Sequence, residues 1–200
     1  MLCLSIDTTS NWCSVALVDA ACVLAKRSEN ILRGHVEILA PMIDDLLKST
    51  KIAPKDIGRI SVCTGPGSFT GVRVGLSLAK GFALPWGIPI VGISALEMWA
   101  ANVDPKACKR VLSAADVRRG QVFWQIFENG RAVKPQILSS AAELDAITVD
   151  AKTGGFFSGD PYICPALLAW VGMDAVLNTH RANPLYHRPP DAKLPDGKTL

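Results

Sequence analysis

Residues 2–18 read LCLSIDTTSNWCSVALV, two apolar runs joined by a polar turn. The first run has the length and composition of a buried strand, and the residues from Trp12 to Val18 alternate as in a strand that returns beside it. Asp7 and the hydroxyl residues that follow it form the tip of this predicted hairpin. A third apolar segment runs from Cys22 to Lys26, so the chain is expected to open with three strands.

The same order of elements returns in the second half of the chain. The segments from Val111 to Ala115 and from Val122 to Glu128 predict a second hairpin, whose tip carries Asp116. Asn129-Gly130 is a strong signal for the next tight turn, and a third strand is expected from Ala132 to Pro135. This repeat predicts an α/β protein with two duplicated domains and mixed central sheets, the layout of the actin-like ATPase (ASKHA, ribonuclease H-like) fold.

Helical and strand patterns follow each meander. In the first half they predict helices over 35–49, 70–84 and 94–103 and strands over 57–64 and 88–92. In the second half they predict a helix that opens at a capping box over 140–143, a strand over 155–158, a helix over 161–170 and a strand over 174–177. The expected domains are residues 1–104 and a shorter 105–182, followed by an extended tail over 183–200.

Composition and charge narrow the class of protein. The chain of 200 residues has 21 basic and 18 acidic side chains, a net charge of +3, and the basic residues are scattered, which argues against unaided tight binding to nucleic acid. No apolar run has membrane length. The six cysteines lie far apart without a CxxC pair and are expected to be reduced core residues, which favours a cytoplasmic location.

A glycine-punctuated loop, GPGSFTGVR over 65–73, lies between a predicted strand and a predicted helix. It does not match the Walker A pattern, because Gly67 is not followed by the lysine and hydroxyl residue that such a loop requires. Ser68 or Thr70 is expected to cap the helix, and Arg73 is placed where it could meet an anion.

Small residues recur along this helix at Gly71, Gly75, Ala79 and Ala83. A glycine in a helix interior costs about 1 kcal/mol relative to alanine, so a close approach by another element is expected to offset that cost. The approaching element is either internal or part of a partner subunit. The preceding helix adds Met42 and Leu46 as candidates for an exposed face.

The two hairpin tips allow two interpretations. Asp7 and Asp116 could face phosphates and a hydrated Mg²⁺ across a cleft, or each could simply form an Asx turn. His35 has no second histidine at HxxxH spacing, because Leu39 occupies that place, so no metal site is expected there. The sequence gives no reason to expect a cofactor.

Four segments together resemble the bacterial TsaB (YeaZ) family. The GPGSFTGVR loop is highly specific, and the other segments support it. They are residues 6–9 at the first tip, the helix that begins near His35 with its segment 39–43, and residues 116–123 at the second tip. Residues 184–188 also resemble the family's late motif, although the second half is shorter than is usual in the family.

The resemblance implies a non-catalytic subunit in the formation of N6-threonylcarbamoyladenosine in tRNA. Such a subunit binds and activates a TsaD-type transferase, works with a TsaE-type ATPase and a TsaC-type enzyme, pairs with itself when alone, and meets tRNA only indirectly. No membrane association is implied. An active actin-like ATPase or phosphotransferase that uses Asp7 and Asp116 is the alternative, and a metallopeptidase is disfavoured because HxxxH and HExxH are missing.

The resemblance also implies which residues act. The partner interface is expected on the first-domain helices, at His35, Leu39, Met42, Leu46, Gly71, Val72, Gly75, Ala79 and Phe82. A vestigial nucleotide or anion site is expected at Asp7, Thr8, Thr9, Arg73 and Asp116.

Overall fold

A computed structural model describes residues 1–104, 106–118 and 120–185. Its first sheet has five strands in the order β3-β2-β1-β4-β5. Strands β1, β2 and β3 form an antiparallel meander, and β4 and β5 are parallel to β1. The strands are β1 (Leu2–Asp7), β2 (Trp12–Val18), β3 (Val23–Asn30), β4 (Ile57–Cys63) and β5 (Ile90–Ile93).

The second sheet repeats this plan with five strands, several of them shorter. Its members are β6 (Arg110–Asp116), β7 (Gln121–Glu128), β8 (Arg131–Ala132), β9 (Ile137–Ser140) and β10 (Ala151–Thr153). Strand β7 is antiparallel to β6, β8 and β9, and β10 is parallel to β6. In both sheets a central strand therefore has an antiparallel meander on one side and a parallel strand on the other. The predicted α/β class and duplicated actin-like plan are confirmed.

Two helices, α1 (His35–Thr50) and α2 (Phe69–Ala83), cover one face of the first sheet. Their buried apolar side chains join those of β1, β2 and β4 in one core cluster. Pro41 lies inside α1 without ending it. Because Pro41 is exposed, the carbonyl that loses its helical partner can reach water.

The opposite face of the first sheet is covered by a helix from the second half of the chain. This helix, α5 (Pro165–Asp174), contacts β1, β2 and β4. Ser5 Oγ donates to the Pro165 carbonyl at 2.6 Å, and Ser61 Oγ donates to the Leu168 carbonyl at 2.8 Å. Helix α3 (Ala95–Val103), from the first half, in turn packs against β6, β7 and β10. The two halves therefore share their cores.

Several predictions for the second half are wrong. Residues 155–158 form a short helix, α4 (Gly155–Ser158), instead of a strand, because Gly154 takes a φ of 102° and turns the chain directly after β10. The predicted strand over 174–177 is also absent from the described residues, since α5 continues to Asp174. The capping box at Ser140 opens only a single 3₁₀ turn, and β10 was not predicted.

Three further findings concern the cysteines, the length of the helices and the tail. Cys22 and Cys108 are exposed rather than in the core, because they lie in connections outside the strands. No helix in the described part of the chain is long and apolar enough to cross a membrane. The predictions for the tail from residue 186 on, including most of its late motif, lie outside the described residues.

Candidate functional site

Both hairpin tips line one cleft of about 1020 Å³. Thr9, Ser10 and Asn11 come from the first tip, and Asp116 with its two following residues comes from the second. The loop between β4 and α2 and the start of α1 complete the walls. The structure thus brings together segments that lie more than half the chain apart in sequence.

The two tip carboxylates have different environments. Asp7 is 0% exposed, and its Oδ1 accepts hydrogen bonds from the backbone N–H of Thr9 at 3.0 Å and from the Thr9 hydroxyl at 2.8 Å. Among the described residues, Asp7 Oδ2 has no hydrogen-bond partner. Burial raises the pKa of Asp7, and the two hydrogen bonds from Thr9, together with the nearby Cys63 thiol and His35, oppose that rise.

Asp116, by contrast, is exposed at the cleft, where its Oδ1 accepts from the backbone N–H of Arg118 at 2.7 Å. Each aspartate therefore accepts from the N–H two residues on, which is the hydrogen bond of an Asx turn. Asp7 is sealed inside the fold, and only Asp116 is placed to meet a ligand.

The glycine-rich loop closes onto the first tip. The backbone N–H of Ser68 donates to the Thr9 carbonyl at 2.5 Å, and a Cβ at Gly67 would collide with the same carbonyl. Ser68 Oγ accepts from the backbone N–H of Gly71 at 3.2 Å, so Ser68 is the helix cap, one of the two predicted candidates. Gly67 is required because the two backbones touch.

The small residues of α2 pack inside the protomer, so the element that approaches them closely is the internal one of the two alternatives. A Cβ at Gly71 would collide with the Thr8 carbonyl oxygen, and a Cβ at Gly75 would lie 2.6 Å from Thr8 Oγ1. The Thr8 hydroxyl also donates to the Gly71 carbonyl at 2.6 Å, and Ala79 is 0% exposed. The close approach is therefore between α2 and the end of β1.

The other expected interface residues also point inward. Leu39, Met42, Leu46 and Val72 are buried in the core, since their spacing forms the apolar stripe that a surface helix turns toward its sheet. Phe82 is partly buried against the same core. His35 is partly buried, and its Nε2 lies 2.9 Å from the Ser10 carbonyl.

A different set of residues forms the outward face of the two helices. These exposed residues are Val36, Ala40, Pro41 and Asp44 on α1, and Arg73, Ser77, Lys80 and Gly81 on α2. A Cβ at Gly81 would meet no atom within 4 Å. Arg73 lies over the Phe69 ring, with its guanidinium carbon 3.7 Å from the ring centroid. We call this set the outer helix face.

The structure adds cleft residues that the sequence did not indicate. Leu32 and Val36 line the cleft and are 91% and 63% exposed. Trp99 of α3 also lines it, and within the described ranges its buried Nε1 has no hydrogen-bond partner. The sequence did not indicate that Trp99 lines the cleft, because an aromatic residue on the apolar stripe of a predicted helix is ordinarily a core residue.

No three His, Cys, Asp or Glu side chains lie together as a candidate metal site in the part of the chain that the structure describes.

Comparisons with known proteins identify the family that the chain resembles. A family model described as "TsaD: tRNA N6-adenosine threonylcarbamoyltransferase" matches residues 23–156. The tRNA threonylcarbamoyladenosine biosynthesis protein TsaB of Escherichia coli is 40% identical over 134 residues, 65% of this chain and 58% of that protein. The Bacillus subtilis protein of the same name is 34% identical over 139 residues, 69% of this chain and 60% of that protein.

The solved structure of YeaZ from Pseudomonas aeruginosa superposes with a TM-score of 0.72 at 26% identity, covering 92% of this chain and 99% of that one. The matched stretch spans less than two thirds of the two curated relatives.

Proposed function

The chain belongs to the TsaD-type tRNA N6-adenosine threonylcarbamoyltransferase family, on its TsaB (YeaZ) branch, and from this membership we propose that it is a non-catalytic subunit in tRNA threonylcarbamoyladenosine formation. In this proposal it binds and activates a TsaD-type transferase, acts together with a TsaE-type ATPase, and pairs with itself when alone. The tRNA is the substrate of the assembled complex.

The observation that carries the proposal is the internal pairing of the donors a phosphate would need. The backbone N–H groups of Thr9, Ser68 and Gly71 donate to Asp7, Thr9 and Ser68. A phosphate cradle instead leaves such N–H groups free to point at the ligand. Together with the burial of Asp7, this pairing favours a non-catalytic role over ATP hydrolysis at the first tip.

The outer helix face is the surface we assign to the transferase subunit. It combines apolar Val36, small Ala40 and Gly81, and charged Asp44 and Lys80 on two adjacent helices. Small residues permit the close approach of another helix, and the polar ones suit a surface that is exposed when the chain is alone. In this proposal the interface is on α1 and α2, formed by their exposed residues.

A reconstitution experiment tests the proposal. We expect the chain alone neither to hydrolyse ATP nor to modify tRNA, and to restore modification when it is added to the TsaD-type, TsaE-type and TsaC-type proteins. Ala40→Arg should abolish co-elution with the transferase subunit and lower modification at least tenfold, because it places a long charged side chain on the outer helix face.

Ala146→Arg is the matched control, since Ala146 is an exposed alanine in the second half and should tolerate the change. If Ala40→Arg leaves co-elution and modification unchanged, the assigned face is wrong.

An ATPase remains the second candidate, because Asp116 and both tips line one cleft large enough for a nucleotide. ATP turnover by the chain alone that is lost in Asp7→Ala or Asp116→Ala would establish that alternative and defeat the subunit proposal.

A further inference from the structure

The fold gathers basic side chains that are scattered in the sequence. Lys106 and Lys109 lie in the loop before β6, Arg110 begins β6, and Arg131 and Lys134 follow the turn after β7. All five are exposed. Four lie at the edge where β6 begins and β7 ends, and Lys134 lies further along β7, where its carbonyl accepts from the Gln125 side chain at 2.8 Å. We call this group the basic ridge.

Backbone packing fixes the ridge. Arg110 of β6 and Arg131 of β8 both stand opposite Glu128 of β7, so the three residues form one row across the sheet. The tight turn that precedes Arg131 is locked to the loop before β6, because a Cβ at Gly130 would lie 2.8 Å from the Cβ of Ala107. The backbone positions of the ridge are therefore set by the fold before any partner arrives.

The five basic side chains of the ridge outnumber the carboxylates beside it, which are Glu128, Asp104 and Asp150. Asp150 Oδ2 accepts the backbone N–H of Arg110 at 2.7 Å. Glu128 is the one carboxylate within 106–110 and 128–134, and it pairs with Arg110 at 3.1 Å. The neighbouring Asp104 is buried and accepts the backbone N–H of Lys109 at 2.8 Å.

Lys106, Lys109, Arg131 and Lys134 make no salt bridge within the described residues. Their charges favour an anion at this part of the surface.

The chemistry of the ridge fits a polyanion better than a protein. Protein interfaces are anchored by buried aromatic and apolar side chains, whereas binding to nucleic acid is dominated by lysine and arginine on phosphates. Val133, 42% exposed, is the one exposed large apolar side chain in the described segments 106–110 and 128–134.

We infer that the basic ridge contacts the sugar-phosphate backbone of the tRNA, so that this chain contributes directly to substrate binding. The inference rests on the proposed function, since the RNA is the one that the complex modifies.

The test measures RNA binding by the full chain, alone and in complex with the transferase subunit. The triple variant Lys106→Gln, Lys109→Gln, Arg131→Gln is titrated with unmodified transcribed tRNA over a series of salt concentrations. We expect the Kd to rise roughly tenfold and the slope of log K against log salt to fall in magnitude by about 2 to 3, close to one for each lost phosphate contact.

In the modification assay the same variant should raise the KM for tRNA and leave kcat unchanged, because the ridge binds RNA without touching reacting groups.

The matched control is Lys26→Gln, Lys51→Gln, Lys55→Gln, which removes the same charge from exposed residues of the first half that lie outside the outer helix face. It should keep the RNA affinity and the salt slope of the unchanged chain. The pair Lys109→Gln, Lys134→Gln serves as a second ridge variant if the triple variant has a lowered Tm.

Equal Kd and equal salt slope for the ridge variants and the control would overturn the inference. Loss of complex assembly with RNA binding retained would also overturn it, by identifying the ridge as a protein contact. If the unchanged chain does not co-elute with the transferase subunit, the proposed function fails, while the RNA titration still decides whether the ridge binds RNA.

Discussion

Asp7, at a predicted ligand site, is a buried carboxylate that lowers the stability of the fold. One of its oxygens accepts two hydrogen bonds from Thr9, but the other has no partner among the described residues and no access to water. A buried charged group without full pairing costs free energy of folding. Asp7 therefore stabilises the local turn with one oxygen and destabilises the fold with the other.

The burial of Asp7 predicts how the stability of the fold depends on pH. Because burial raises the pKa of Asp7 in the folded state, the folded chain holds this proton more tightly than the unfolded chain does. The contribution of Asp7 to stability is thus most favourable at low pH, and it falls as the pH rises from the unfolded value of about 3.9 through the raised folded pKa.

Asp7→Asn keeps an acceptor for Thr9 and removes the buried charge. It should raise the free energy of unfolding at pH 7 by about 1 kcal/mol or more, and this gain should shrink toward pH 4. Denaturant unfolding at several pH values measures both effects. Asp116→Asn, at the exposed tip, should stay within about 0.5 kcal/mol of the unchanged chain at pH 7. A loss of stability in Asp7→Asn at pH 7 would contradict the account.

Helix α2 has glycines with opposite surroundings. Gly71 lies against the Thr8 carbonyl, whereas a Cβ at Gly81 would meet open space. Gly71→Ala should destabilise the protein by about 2 kcal/mol or more, because the added methyl forces the helix away from β1. Gly81→Ala should stabilise it by up to about 1 kcal/mol through helix propensity alone. Thermal unfolding of the two variants decides the matter, and equal Tm values would refute the packing role of Gly71.

The sequence predicted most elements of the first half, because their patterns are long and their ends carry strong signals. Ser68 and Ser94 both cap the helices they precede, as their hydroxyls accept from the N–H three residues on. The direction of the small-residue strip could not be predicted. A periodic run of glycine and alanine shows that something approaches closely, but it does not show whether that element is internal.

The second half was harder to predict because its elements are short. A segment such as 155–158, with two phenylalanines after two glycines, suits a strand or a helical turn equally well, and tertiary contact decides. The basic ridge was missed for a different reason. Its members lie in two segments about twenty residues apart, and only the pairing of β6, β7 and β8 brings them to one edge.

The whole molecule depends on helices shared between its halves. The face of the first sheet that carries Cys3, Ala16 and Val18 is buried by Ala166 and Ala169 of α5. Arg59 of β4 fastens the end of α5, since its Nη1 donates to the carbonyls of Gly172, Met173 and Ala175 at 2.8–2.9 Å. Each half of the chain therefore supplies a helix to the core of the other half.

A truncation tests this sharing. A chain of residues 1–104 should aggregate or bind a hydrophobic dye such as ANS, because the first sheet loses the helix that covers one of its faces. A chain of residues 1–185 should remain soluble and cooperatively folded, since it keeps both sheets and all five helices of the described part. Size-exclusion chromatography and dye fluorescence distinguish the two. A monomeric, cooperative 1–104 would show that the first domain is independent.

Because α5 is made long after the first sheet, one face of that sheet is covered late during synthesis. The bond from Ser61 to Leu168 joins residues 107 positions apart, so one face of the earliest sheet stays uncovered while the intervening chain is made. At about 5–20 residues per second, translation of that interval takes roughly 5–20 s. During that time the nascent chain carries an open apolar face, and we expect the ribosome-associated chaperones of its host to be the first proteins that it meets.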